Sequence, residues 1–216
     1  VYAATTLVST VWLISTIPGK EKLEEAKATF GTTLSLFSDK YITSLFLGIL
    51  FIVGIDVGLN TTIPKLLMER TGMALSEAGL GTSLYFAART IGSFAGAFLL
   101  AKLSASRFLK YSMFVAIVAF VLLLAVPDTW SMFVMIVIVG LACANVFSII
   151  FSFALQHKPE RANEISALMI MGVSGGALIT PLMGIVADGF GQVAGLSILL
   201  LCILYICLIS FGIDKK

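Results

Sequence analysis

The amino-acid sequence predicts an all-α polytopic membrane protein: a six-helix transmembrane bundle built as a 3+3 inverted repeat and preceded by a helix remnant. Three observations carry that expectation. The 216 residues are 59% hydrophobic and only 12% charged, against about a half and about a quarter in soluble domains. The apolar residues also form continuous runs of membrane length, not the short alternating segments of an outer-membrane barrel. The few charges, finally, gather between the runs and mostly on one side of the membrane. With a mean hydropathy of +1.06, no soluble fold could hide so much apolar surface. That excludes a cytosolic enzyme and a nucleic-acid-binding module. The net charge of +2 is too small to name an electrostatic partner.

The elements follow in chain order. Residues 1–17 are apolar, with no basic leader before them and no small-residue cleavage site after them, so they read as the end of a truncated transmembrane helix. Residues 18–41 form a polar linker in which Lys20-Glu21-Lys22-Leu23-Glu24-Glu25-Ala26-Lys27 has short amphipathic character. Its place, between a truncated helix and six complete spans, suggests a seam between two halves. Residues 42–216 then hold six segments able to cross a hydrocarbon core of about 30 Å, at about 42–67, 80–103, 108–126, 130–155, 165–187 and 193–213. Glu69-Arg70-Thr71-Gly72, Pro127-Asp128, His157-Lys158-Pro159-Glu160-Arg161 and Asp188-Gly189-Phe190-Gly191 punctuate them.

Eleven of the fourteen basic residues fall on one side under this threading, and only Lys65 and Arg70 on the other. The positive-inside rule makes the first side cytoplasmic, together with both ends of the chain. The third and sixth spans are almost uniformly apolar. The other four carry Gly48, Gly54, Gly58, Gly92, Gly96, Gly140, Gly172, Gly175, Gly176 and Gly184. Small residues let helices approach closely in lipid, so those four spans are expected to build an interior and the third and sixth to face lipid. The order interior, interior, exterior occurs twice. A repeat of three spans must be inverted, and inverted repeats mark secondary transporters.

Asp56 and Arg89 are the charges that lie deep within spans, away from their ends. Asp56 lies near the middle of the first, in Val53-Gly54-Ile55-Asp56-Val57-Gly58, with Asn60 four residues on and so on the same face. A mid-helix Asp costs about 3 kcal/mol on insertion scales and persists where it faces a partner or a water-filled cavity. Thr61 and Thr62 continue the polar character, and Pro64 is expected to loosen the helix. In the second span Tyr85, Arg89 and Ser93 are spaced by four and form a polar stripe. Consecutive antiparallel helices can bring Asp56 and Arg89 together, either as a packing ion pair or as part of a substrate path. Asn145, at mid-depth in the fourth span, can bridge helices or donate to a sugar hydroxyl. His157 is expected to be a solvated loop residue and not a proton relay. Cys143, Cys202 and Cys207 lie in apolar runs with no CxxC, so they are expected to be buried hydrophobes, with no metal and no cofactor. HExxH, GxSxG and GxxxxGK[ST] are absent, and no filter loop or charged ring suggests a channel. The chain is not expected to be an enzyme; an intramembrane enzyme would have to rest on Asp56 alone.

The six spans and the linker resemble the C-terminal half of a major facilitator superfamily transporter. Gly175-Gly176-Ala177-Leu178-Ile179-Thr180-Pro181-Leu182-Met183-Gly184, followed by Ala187-Asp188, resembles a pattern of the fucose–galactose–glucose/proton symporter family. So do Pro159-Glu160-Arg161-Ala162-Asn163-Glu164-Ile165-Ser166 before the fifth span and Val53-Gly54-Ile55-Asp56-Val57 in the first. Two departures stand beside these. Arg89 lies one turn before the place where members often carry an Arg, here Ser93. The loop Lys102-Leu103-Ser104-Ala105-Ser106-Arg107 lacks the superfamily's Asp.

The resemblance implies alternating access in a bacterial inner membrane, with protons driving uptake of a monosaccharide. It also implies that the first and fourth spans line a cavity, the second and fifth form a moving interface, and the third and sixth face lipid. The partners implied are the solute, protons, the bilayer and an N-terminal six-helix half. Asp56, Asn60, Tyr85, Arg89 and Asn145 are the candidate path residues. A drug or metabolite antiporter of the same fold is the alternative within transport.

Overall fold

The computed structural model describes residues 2–15 and 29–213, and among them every regular element is helical. The amphipathic stretch Lys20–Lys27 lies outside the described residues. Helix α1 (Tyr2–Ser15) keeps its apolar side chains from Leu7 to Ile14 exposed. After α2 (Phe30–Ser35) come α3 (Lys40–Thr71), α4 (Leu75–Leu100), α5 (Ala105–Ala125), α6 (Thr129–Cys143), α7 (Val146–His157), α8 (Ala162–Met171), α9 (Gly175–Phe190) and α10 (Gln192–Ile213). Six membrane-length units result: α3, α4, α5, α6 with α7, α8 with α9, and α10.

Two of the spans expected to be continuous are broken. The fourth is interrupted at Ala144 and Asn145, where Asn145 sits at φ −105° and ψ 0°. The fifth tightens into a 3₁₀ turn at Gly172–Ser174. Continuous apolar composition conceals both breaks, because the groups that tolerate them lie on other helices. Pro64, in contrast, leaves α3 unbroken. Its ring cannot donate to the Asn60 carbonyl four residues earlier, and that oxygen instead lies 3.5 Å from the Thr82 hydroxyl of α4, which donates to it.

The packing follows the small residues. Helix α3 lies against α9 and α10, and α4 lies against α6. A Cβ on Gly175 would fall on the Leu50 carbonyl, one on Gly96 on the Asn145 amide, and one on Gly140 on the Tyr85 carbonyl. Spans one and five pair as spans four and two do, and spans six and one as spans three and four do. That is the neighbour pattern of a three-span repeat used twice. Spans five and six pack on one another more closely than spans two and three, so the symmetry is incomplete.

Within this six-helix unit the four glycine-bearing spans are buried to different extents. The membrane-length windows of spans one and four are each 56% buried, whereas that of span two is only 22% buried. Glycines explain the difference, since Gly81, Gly92 and Gly96 put one face of α4 in the core. Its other face carries exposed Phe86, Ile91, Phe94 and Phe98.

Each end of the bundle is tied by polar contacts. At the end away from α2, Arg70 donates to the carbonyls of Leu124 (2.7 Å) and Val126 (3.2 Å). These acceptors, in the last turn of α5 and at the residue that caps it, have no partner within the helix. At the α2 end, Asp39 caps α3 by accepting from the backbone N–H groups of Tyr41 and Ile42. The Lys158 ammonium lies 2.7 Å from Asp39 Oδ2, and His157 Nε2 lies 3.0 Å from the same oxygen. His157 is therefore half-buried in an ionic cluster, tilted against the Tyr41 ring, and not a solvated loop residue. Arg161 completes the clamp by donating to the Thr32 carbonyl (2.6 Å) and the Ser35 hydroxyl (3.2 Å).

Gly175→Val should destabilise the detergent-solubilised protein by about 1–3 kcal/mol through overpacking against Leu50. Gly79→Ala, with open space around it, should leave thermal unfolding unchanged or slightly raised. The Asp39 cluster has its own pH signature. Lys158 above all, with His157 and the two backbone donors, holds the Asp39 carboxyl well below the usual carboxylate range against the opposing effect of burial. A carboxyl with a depressed folded-state pKa stabilises above its unfolded value of about 4 and loses that contribution as pH falls further. Asp39→Asn should therefore lower the unfolding temperature at neutral pH, with the gap to the unmodified protein closing below about pH 4.

Candidate functional site

The assembly of interest is built where α3 and α4 cross at membrane depth. Helix α3 can present Asp56 there because Gly54 and Gly58 lie in the core against Ile179, Met183 and Leu199, leaving the intervening turn to face α4. Tyr85 and Arg89 occupy successive turns of α4. The Arg89 guanidinium forms an ion pair with Asp56 Oδ1, and the Tyr85 hydroxyl donates to the same oxygen at 2.7 Å. Tyr85 is fully buried, while the side chains of Arg89 and Asp56 are 17% and 19% exposed. The pair thus sits at the margin of the core, where a small change of neighbours can wet it.

The exposed side of this margin is partly polar. Val57, Asn60 and Thr61 of α3 and Phe86, Thr90 and Ser93 of α4 are exposed around the pair. Asn60 lies one turn from Asp56, so the structure brings four of the five candidate residues, Asp56, Asn60, Tyr85 and Arg89, to one crossing. Beyond Asn60, Thr61, Thr62, Lys65, Thr180, Asp188 and Gln192 line a cavity of about 210 Å³ between α3 and α9. It begins about 8 Å along α3 from Asp56, at 1.5 Å per residue. The Thr180 hydroxyl oxygen is buried there without a hydrogen-bond partner. In the sequence Thr180 stands out only as part of a motif, and Asp188 only as part of that motif and of the break before the sixth span. The closure of this cavity needs α9 beside α3, a contact more than a hundred residues apart in sequence.

Asn145 is placed differently. It is buried at the break in the fourth span, and its Nδ2 donates to the Gly92 carbonyl at 2.8 Å. The Ser93 hydroxyl returns the contact by donating to the Ala144 carbonyl at 3.4 Å. The Asn145 amide therefore bridges helices in this structure. Neither Ser93 nor Thr82 stood out as a partner for broken backbone, and only the spacing of Ser93 from Arg89 hinted at it. Cys143 and Cys202 are buried and Cys207 is half-buried, all as free thiols. Among the described residues, no three His, Cys, Asp or Glu side chains come together to hold a metal ion.

Chemically, the crossing holds one acid whose charge is balanced by one base and one hydroxyl donor. Leaving either charge alone at this depth is expensive, so Asp56→Asn and Arg89→Gln should each destabilise by about 3 kcal/mol. The double variant should lose clearly less than the sum, because no charge remains unpaired. Equilibrium denaturation in detergent, run as a double-mutant cycle, checks this, and additive losses would contradict a direct pair.

Comparison with known proteins places this arrangement. A Helicobacter pylori (strain J99) protein provisionally named a glucose/galactose transporter is 27% identical over 182 residues, covering 84% of this chain and 44% of the relative. A Brucella abortus glucose/galactose transporter is 25% identical over 162 residues, covering 74% of this chain and 39% of the relative. The chain thus spans less than half the length of these curated relatives. Among solved structures, the E. coli fucose:proton symporter FucP superposes with a TM-score of 0.82 at 19% identity, over 99% of this chain and 53% of that one. A bacterial homologue of the human lysosomal transporter Spinster, inward-facing and unoccupied, gives 0.68 at 20% identity, over 97% and 57%. At these identities the structural matches establish the fold. The family model of the Major Facilitator Superfamily matches residues 45–215, nearly all of the six-span bundle. The chain therefore belongs to the Major Facilitator Superfamily, a family of membrane transporters and not of enzymes.

Proposed function

We propose that this chain is the C-terminal six-helix half of a proton-coupled monosaccharide transporter that works by alternating access. The observation that carries the reading is the Asp56–Arg89–Tyr85 assembly, an acid held at membrane depth with part of its surface open to a polar margin. Relatives named as glucose/galactose transporters and the likeness to a fucose:proton symporter supply the solute class. Asn60 and Thr61 stand beside the acid with groups able to meet sugar hydroxyls.

In this reading Asp56 exchanges partners. Protonation removes its charge and loosens Arg89, whose guanidinium can then donate to a hydroxyl-bearing solute. Deprotonation restores the pair and expels the competitor. Asn145 acts on the path indirectly, by fixing the break in the fourth span against α4. The exposed Phe86, Ile91, Phe94 and Phe98 face of α4 packs against the other half of the transporter, as a moving interface requires. The α2 end faces the cytoplasm of a bacterial inner membrane, following the excess of Lys and Arg there.

The test uses the full-length protein that carries this chain, in vesicles with an imposed proton gradient. Labelled glucose or galactose should accumulate, and proton entry should accompany it. Asp56→Asn should slow uptake by about tenfold or more, the worth of one charge-assisted hydrogen bond, while the protein remains folded in detergent. Unchanged uptake by folded Asp56→Asn would sink the role of the acid. Solute efflux driven by proton entry would favour an antiporter.

A further inference from the structure

The start of α5 and the end of α10 meet beside a feature that the transport reading does not use. At the α2 end of the bundle, Arg107, Lys110, Tyr111, Phe114 and Phe211 line a cavity of about 410 Å³. Its floor is basic. The Arg107 Nε donates to the Ser104 hydroxyl at 2.8 Å, which fixes the guanidinium at the start of α5. The Lys110 ammonium is held 5.2 Å from the centroid of the Phe211 ring, within range of a cation–π contact. The walls are aromatic and open, with Tyr111 71%, Phe114 64% and Phe211 56% exposed.

What lies beyond the cavity identifies the medium it faces. Past Tyr111, the exposed side chains of α5 are Phe114, Val115, Val118, Val121, Leu122 and Ala125, and those of α10 from residue 201 onward are also apolar. No polar side chain breaks this surface, in contrast to the α3–α4 margin with Asn60, Thr61 and Thr90. A face of this kind contacts acyl chains. The cations sit only at its end, where an interface lies, and Tyr111 has the amphipathic character of an interfacial anchor. In sequence, Lys102 precedes α5, and Asp214, Lys215 and Lys216 follow α10.

We propose that this cavity is a binding site for the headgroup of an anionic phospholipid. The phosphodiester accepts from the Arg107 guanidinium and is held electrostatically by Lys110. The acyl chains run over Phe114 and Phe211 along the groove between α5 and α10. A soluble phosphate would match the floor but not the apolar channel that leads out of it. A zwitterionic lipid would match the channel but bring its own cation to a basic floor. The bound lipid ties the third span to the sixth, the two elements that occupy equivalent places in the repeat.

The experiment titrates the full-length protein in detergent with dioleoyl phosphatidylglycerol or dioleoyl phosphatidylcholine and counts retained lipids by native mass spectrometry. The protein should hold one phosphatidylglycerol in strong preference to phosphatidylcholine. Arg107→Gln combined with Lys110→Gln should weaken that preference by about tenfold or more, the effect of two basic residues at a membrane surface. Lys40→Gln, an exposed basic residue at the same end but outside the cavity, should keep it. Unaltered preference in the double variant, or an equal loss in Lys40→Gln, would overturn the site. Displacement of the lipid by millimolar inorganic phosphate would overturn the lipid and leave a phosphate site. Thermal unfolding of each variant in detergent separates loss of binding from loss of fold.

Discussion

Hydrocarbon offers no hydrogen bonds, so polar groups freed at membrane depth look to the protein for partners, and in this chain α4 supplies those that lie between helices of the first, second and fourth spans. Thr82 reaches the carbonyl freed by Pro64, Tyr85 and Arg89 hold Asp56, and Ser93 reaches the carbonyl of Ala144 at the break in the fourth span. The Gly92 carbonyl takes the Asn145 amide. These positions recur at three- and four-residue steps, so they form one stripe down one face of one helix. Remove that stripe and the first and fourth spans would each carry unsatisfied groups in lipid. The interruptions that distinguish this bundle from a set of plain rods depend on their common neighbour.

That dependence also explains what could be read from the sequence. The six spans and the meeting of Asp56 with Arg89 follow from run length and the antiparallel geometry of consecutive helices. The breaks at Ala144–Asn145 and Gly172–Ser174 do not, because local composition is as apolar there as in an intact helix. They are tolerated by Ser93 and Gly92 of α4, or by close approach to α3, and these partners are distant in sequence. The Asp39 cluster was hidden for the same reason, since Asp39 and His157 lie 118 residues apart. Within the six-helix unit α4 is only half interior, since its glycines mark one buried face while its phenylalanines mark an exposed one.

Glycine in this bundle acts through proximity. Gly175 admits the Leu50 carbonyl, and Gly96 admits the Asn145 amide. Each lets backbone approach backbone or a short polar side chain at the centre of the molecule, where a methyl group would separate the helices. The two contacts stand in equivalent places of the repeat, between spans five and one and between spans two and four. The same physical solution thus serves both halves of the six-helix unit, with different residues: a bare carbonyl in one and a buried amide in the other.

The connection between α3 and α4 is only three residues, Gly72 to Ala74, and its first residue is in the left-handed region at φ 68°. The chain therefore turns back at once, and Arg89 follows Asp56 into the membrane on the next helix. An aspartate inserted alone would cost about 3 kcal/mol, but here that cost lasts only until the following helix arrives. During biogenesis the α3–α4 hairpin is thus the smallest piece of this chain that holds Asp56 and is still electrically neutral near the middle of the membrane. It can enter lipid as a unit, before any of the four later spans has been made.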